Sequence, residues 1–247
     1  MSTDGAAPLG TDAGAEPVVT DLSVRRAEPA DAASVAGLYT RARGAALPML
    51  PPALPTGGGG RAWFARQLGR PDRECWVAER SGELLGYALL TPVWLDHLFV
   101  RHDATGQGVG TVLLDLVKSL RPDGFSLWVF ESNTPARDFY RRRGLVELER
   151  TDGSGNEEKE PDLRMAWPGP EPLAFYRGLI DQVDADLGDL LNRRAALTGA
   201  VQQVKGSTER DLDREREIAR ALAARAPLLG EDRAARIVHA IITESLD

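Results

Sequence analysis

The stretch from residue 173 to residue 204 constrains this 247-residue chain more than any other. Leu173, Tyr176, Ile180, Val183, Leu187, Leu190, Leu197, Val201 and Val204 recur at alternating spacings of three and four. With 3.6 residues per turn, such positions share one face, so the rhythm predicts a long helix packed against others. The next place in the same rhythm, between Leu190 and Leu197, falls on Arg194. A cation on a buried seam is costly unless a negative group meets it. No acid stands on that seam within a turn of Arg194, so its partner comes from elsewhere, and a small anionic ligand is the candidate of interest.

Other charges extend the pattern. Arg194 and Lys205 are eleven residues apart, about three turns, and lie on nearly one face. Arg177 precedes Arg194 by seventeen residues, roughly 25 Å along a straight helix. One small ligand does not span that distance on one helix. If all three bind the same anion, Arg177 comes from a second copy, and the chain is an intertwined dimer. Arg193, Arg214 and Arg216 also fit a plain solvated face of salt bridges.

The net charge of −7 argues against a nucleic-acid or acidic-membrane partner. Cys75 is the single cysteine, which excludes an internal disulfide and a thiol-rich metal site. His97, His102 and His239 lack metal-ligand spacing, so no metal is expected. No apolar run reaches the roughly 20 residues of a membrane span, and the N-terminus lacks signal-peptide features. A cytoplasmic protein is expected.

The chain has two grammars. Residues 1–20, rich in Gly, Ala, Asp and Pro, predict a flexible tail. Over 21–168 strands and helices alternate: strands at 22–26, 75–79, 84–90, 95–100, 125–131, 145–150 and 163–167. Helices are expected after Pro29 and Asp31, around Trp63 to Leu68, and over 109–120 and 135–143. The acidic stretch 152–162 reads as a long hairpin loop. This predicts an α/β domain with a mixed, mainly antiparallel sheet and flanking helices. The prolines and glycine of WPGPEP (167–172) break the pattern, with a linker at 169–172. Beyond it, over 173–247, only helices are predicted, at about 172–205, 212–225 and 231–246.

In LFVRHDATGQGVGTVLL, Gly106, Gly108 and Gly110 stand between a strand and a helix. Glycines there let backbone N–H groups approach a phosphate at a helix N-terminus, although a plain tight turn has the same spelling. With FESNTPARDFYRRRGLVEL further on, residues 22–167 resemble the GNAT superfamily of acyl-CoA N-acyltransferases. The resemblance implies acetyl-CoA as co-substrate and a small amine as acceptor. Leu98, Phe99 and Val100 would meet pantetheine, and the turn with Gly106, Gly108, Val109 and Gly110 would hold the pyrophosphate. Asn133 would touch the cofactor arm, and Tyr140 would protonate the departing thiolate. Thr105 stands where the family usually has Arg or Gln. Asp96, His97 and Glu131 are candidate bases. The loop PMLPPALPTGGGG (48–60) lies where this family shapes its acceptor site and does not name the amine.

YRGLIDQVDADLGDLLNRRAALTGAVQQVK, RDLDRERE and IITES resemble the all-helical AroQ-type chorismate mutases. That resemblance implies three helices from each of two chains, interlocked as a homodimer, with Arg177 lent to the partner's pocket. Arg177 and Arg194 would clamp the carboxylates of chorismate, with Arg214 assisting. Lys205 would donate to the ether oxygen, Glu215 would accept from the ring hydroxyl, and Asp211 and Ser245 would shape the pocket. The implied reaction is a Claisen rearrangement to prephenate, without a cofactor. The Gln or Glu usual in the family about a turn past IITES has no counterpart before Asp247, and the loop before Asp211 is slightly short. A 4-amino-4-deoxychorismate mutase, an isochorismate pyruvate-lyase, or a non-catalytic sensing or dimerisation module are the alternatives.

Overall fold

The computed structural model describes residues 21–52, 60–207 and 209–245. The tail expected at 1–20, part of the loop at 48–60, and residues 246 and 247 lie outside them. The chain divides into two compact units, Met1–Phe175 and Tyr176–Asp247.

In the first unit, β1 (Ser23–Arg26), β2 (Glu74–Arg80), β3 (Glu83–Leu90) and β4 (Leu95–Val100) form an antiparallel sheet in chain order. Helices α1 (Ala32–Ala45) and α2 (Arg61–Leu68) come between β1 and β2. A second antiparallel sheet has the order β5-β7-β6, from β5 (Phe125–Phe130), β6 (Val146–Thr151) and β7 (Asp162–Trp167). Helix α3 (Val109–Leu120) joins the sheets, and α4 (Thr134–Arg142) follows β5. The mainly antiparallel α/β arrangement is as the sequence predicts. One detail differs: the segment opened by Pro29 and Asp31 is a single 3-10 turn, Pro29–Asp31, ahead of α1. Asp31 closes that turn by accepting from the Glu28 N–H, and its carboxylate also receives the Arg25 guanidinium at 2.7 and 2.9 Å.

Strand periodicity explains how the core fills. Successive side chains on a strand face opposite sides. Tyr87 and Leu89 of β3 join Val35, Leu38, Phe64 and Val77 beneath α1 and α2. Ala88 and Leu90 point the other way, to Val109, Leu113, Leu114 and Val117 of α3. Gly86 is where α3 comes nearest: a Cβ there would stand 3.0 Å from both the Phe99 carbonyl oxygen and Val109 Cγ1.

The two sheets meet at one parallel bridge, Trp94 to Ser126, where the Ser126 N–H donates to the Val93 carbonyl at 3.0 Å. Beyond it β4 and β5 belong to different sheets, and a cleft opens between them. Backbone groups along that edge of β4 have no ladder partner among the described residues, and such groups need one.

The second unit is helical. Helix α5 (Pro172–Lys205) runs 34 residues, about 50 Å, and is followed by α6 (Leu212–Arg225) and α7 (Gly230–Glu244). Ala219, Ala234 and Val238 are buried on α6 and α7. No described residue of α5 is. Leu187 is 49% exposed and Leu197 64%. The seam that the rhythm predicts as buried is therefore open in the single chain. An apolar stripe of this length in water marks an interaction surface.

Candidate functional site

The cleft between β4 and β5 holds a cavity of about 210 Å³, walled by Leu95, Asp96, His97, Leu98 and Phe99 of β4 and the facing residues of β5. Asn133, Ala136 and Tyr140 also line it, as do Tyr39 and Arg43 of α1. Tyr140 is buried, and burial pushes its phenol above the ordinary value, so it keeps its proton. The Asn133 side-chain oxygen accepts from the Ala136 N–H at 3.3 Å and caps α4, leaving its amide nitrogen as a donor.

Between β4 and α3, the glycine turn is tight, as the sequence predicts. Gly106 and Gly108 lie at φ 78° and 82°. Gly108 is the N-cap of α3 and brings no side chain to cap it, so the first N–H groups of the helix keep their donors for an anion. Gly110 sits 3.4 Å, measured from an added Cβ, from the Phe139 ring. Thr105 turns its hydroxyl to the Arg101 carbonyl at 3.4 Å. A cation that the sequence reading missed arrives instead from the end of β2: Arg80 donates to the Gln107 side chain at 2.9 Å. We expect Gly108→Ala to lose about 1–2 kcal/mol, because a Cβ is disfavoured in the left-handed region. The check is a thermal melt with and without acetyl-CoA, in which the variant melts a few degrees lower and gains less from the ligand.

The three expected bases separate. Glu131 is a correction: it follows the end of β5, its N–H donates to the Pro161 carbonyl, and its carboxylate turns to Arg150 at 2.7 Å, away from the cleft walls. Asp96 reaches the cleft and is held by Arg73 at 2.6 Å; partial desolvation outweighs that pull and raises its carboxyl. His97 also reaches the cleft, between the stacked rings of Tyr39 (5.4 Å) and Trp63 (5.5 Å), with Nδ1 2.9 Å from the Tyr87 hydroxyl. Desolvation, helped by Arg73 and Arg43, pushes it down to about 3 from 6.5. The folded state then refuses a proton that the unfolded chain accepts below 6.5. Stability is full above that value and falls as pH drops toward 3, by at most about 1.4 kcal/mol per unit. Urea unfolding at pH 7 and pH 5 should show His97→Phe losing less than the parent. Equal losses would remove His97 as the cause.

In the helical unit, Arg194 and Ser245 come together: the guanidinium donates to Ser245 Oγ at 3.2 Å. Lys205 Nζ lies 3.5 Å from the Glu209 carbonyl. Asp211 is occupied as the N-cap of α6, accepting from the Arg214 N–H at 2.9 Å. The Arg214 guanidinium pairs within one chain with exposed Glu217 at 2.9 Å. Arg177 is exposed on α5.

Arg210 was not anticipated. It holds both oxygens of Glu215 at 2.7 Å, donates to Thr243 Oγ1 at 3.0 Å, and meets His239 Nδ1 at 3.0 Å. It keeps the Glu215 carboxyl below the usual range, so that group is a fixed acceptor. Its adjacency to the cap Asp211, five residues before Glu215, was the available signal.

Residues 40–145 match the family described as acetyltransferase (GNAT) family, and residues 176–247 match chorismate mutase type II. The peptidyl-lysine N-acetyltransferase YjaB of Salmonella typhimurium is 33% identical over 99 residues, covering 40% of this chain and 68% of that protein. Its Escherichia coli namesake is 31% identical over 100 residues, covering 40% and 67%. Among solved structures, a GCN5-related N-acetyltransferase from Rhodopseudomonas palustris aligns with a TM-score of 0.51 at 23% identity, over 61% of this chain and 98% of that one. A PaiA N-acetyltransferase from Thermoplasma acidophilum, in complex with coenzyme A, gives 0.50 at 16%, over 60% and 99%. At these identities the likeness shows the fold.

Proposed function

This chain belongs to the GNAT acetyltransferase family and carries a type II chorismate mutase domain behind it, and from that premise we propose two enzymes in one chain. The helical domain rearranges chorismate to prephenate in pockets shared by two copies. The first domain moves the acetyl group of acetyl-CoA to an amine.

The observation that carries the mutase reading is the seam of α5. It is apolar and exposed, and it holds Arg194 beside Ser245, with Arg177 seventeen residues away on the same helix. A second copy laid along that stripe covers the apolar side chains and brings its own Arg177 toward Arg194. Two guanidiniums then grip the two carboxylates of the substrate, bidentate pairing being what arginine does better than lysine. Lys205 donates to the ether oxygen as the C–O bond breaks, and a fixed cation there stabilises the charge that develops. The clamp also holds the compressed conformer in which the new C–C bond forms. Glu215, fixed by Arg210, accepts from the ring substituent, Asp211 frames that end, Ser245 stands beside Arg194, and Arg214 assists the clamp. A ring hydroxyl and a ring amine both satisfy such an acceptor, so 4-amino-4-deoxychorismate is the second substrate to try.

For the acetyltransferase, the residues present fit acetyl-CoA. The pyrophosphate matches the uncapped N–H groups of α3 at Gly108, Val109 and Gly110, with Gly106 shaping the turn. The pantetheine amides match the open edge of Leu98, Phe99 and Val100, and the Asn133 amide lies beside them. The amine nitrogen attacks the thioester carbonyl. Its proton leaves to Asp96, whose carboxyl burial has raised, directly or through water, while His97 stays neutral, and Tyr140 protonates the thiolate that departs. The YjaB relatives act, by their names, on peptidyl-lysine, which makes a lysine side chain the reference acceptor.

Purified chain is mixed with chorismate, and the product is identified by its mass and by acid conversion to phenylpyruvate. Prephenate formed by the parent and not by Arg194→Ala is the expected result. Binding of chorismate without turnover would replace the mutase reading with a sensing module.

A further inference from the structure

The cleft contains an ion pair that the proposed chemistry does not use. Among the described residues lining the cleft, Arg43 is the one permanent cation, and Asp96 and Glu158 are the carboxylates. Asp96 is held by Arg73. Arg43, in the last turn of α1, meets Glu158, in the connection from β6 to β7, at 2.5 Å. Their side chains are 11% and 18% exposed.

The two partners are held very differently. Arg43 is fixed on several sides. It donates to the Tyr39 hydroxyl at 2.9 Å and, through Nε and Nη2, to the Pro51 carbonyl at 3.3 and 3.2 Å. Its plane also lies over the rings of Tyr39 and Phe130, at 5.8 and 5.9 Å. Those contacts would aim the guanidinium even without Glu158. The loop that carries Glu158 is closed by other bonds, from Asn156 to the Glu160 carbonyl and to Asp162, and from Lys159 to the Ser154 carbonyl. Releasing Glu158 from Arg43 leaves those bonds intact. A rigid guanidinium inside a cleft, met by a carboxylate that nothing else commits, has the form of a carboxylate receptor filled by a group of the chain itself.

We infer, resting on the acetyltransferase reading, that the acceptor is a small primary amine bearing a carboxylate, of the free amino acid type, whose carboxylate takes the place of Glu158 on Arg43. The cavity of about 210 Å³ is below the roughly 300–1,000 Å³ of drug-sized sites, which suits a small acceptor. Its body would lie against Phe99, Trp128 and Phe130, which favours an apolar or aromatic one. Displacement exchanges one charged pair for another, so the buried cation is never left alone.

The test uses the full chain, acetyl-CoA and three probes: phenylalanine, phenethylamine, which lacks only the carboxylate, and a blocked tripeptide with a central lysine. Release of CoA is followed. Phenylalanine should exceed phenethylamine in kcat/KM by roughly tenfold, because its carboxylate has to outcompete Glu158 for the same guanidinium and gains only the difference between the two pairs. Arg43→Gln should bring that ratio to about one, and Arg43→Lys should recover part of it. Glu158→Gln, which removes the competitor, should lower KM for phenylalanine severalfold; it serves also if Arg43→Gln does not fold. Equal rates for the two amines, a ratio unchanged by Arg43→Gln, or faster turnover of the lysine peptide would overturn the inference. Calorimetry with N-acetylphenylalanine separates the two readings. Binding that depends on Arg43, with no CoA released for any amine, keeps the carboxylate receptor and removes the acetyl transfer. No binding removes the receptor.

Discussion

Mixing Arg177→Ala with Arg194→Ala protein, each nearly inactive as a mutase alone, should restore about a quarter of the parent rate once subunits exchange. Each substitution removes one guanidinium from every pocket, and loss of one such group commonly costs 10²–10³ in rate. In the intertwined arrangement a pocket takes Arg194 from one copy and Arg177 from the other. A mixed dimer therefore has one pocket with both arginines and one with neither. Random exchange makes half the dimers mixed, each with one working site of two, hence about a quarter. Activity is measured after co-expression, or after joint unfolding and refolding to force exchange. No recovery would sink the shared pocket, and an active Arg177→Ala protein would show that this arginine binds nothing that matters.

Tyr140→Phe should lower kcat for acetyl transfer by about 10²–10⁴, the range for loss of a positioned acid, with little change in acetyl-CoA affinity. The ring is buried and packs edge-on against Phe139 at 5.2 Å, so the substitution keeps the packing and removes one proton. Burial, which raises the phenol's pKa, keeps that proton on the ring at neutral pH, so it is still there when the thiolate forms. Acetyl-CoA affinity is read by calorimetry and kcat by CoA release. A variant with unchanged kcat would leave Tyr140 a core aromatic and pass protonation of the thiolate to solvent.

The local parts of this chain were legible because their signals are local. Alternation placed β2, β3 and β4, and a spacing of three and four placed α5 from Pro172 to Lys205. Gly106, Gly108 and Gly110 spelled a tight turn before α3, and Gly106 and Gly108 take a left-handed conformation in it. What escaped depends on residues distant in the chain. Arg43 and Glu158 are 115 residues apart and meet only because α1 and the β6–β7 connection converge on the cleft. Arg210 lay inside a block already noticed, but its four contacts come from α6 and α7 together. Glu131 looked like a base at a strand end, and only the position of Arg150 on β6 shows which way it turns. A periodic stripe states that a face will be covered, and it does not say by which molecule.

The open face of α5 would tie the two proposed activities to different variables. The acetyltransferase core, from Val35 to Met165, closes within a single copy, so its rate per molecule should not change on dilution. Leu187, Leu190 and Leu197 are exposed in the single chain, and in the proposed dimer a second copy covers them. By mass action the rearrangement should then fade as the protein is diluted through its dimer dissociation constant, while acetyl transfer per molecule holds. The abundance of the chain would set the ratio of its two outputs.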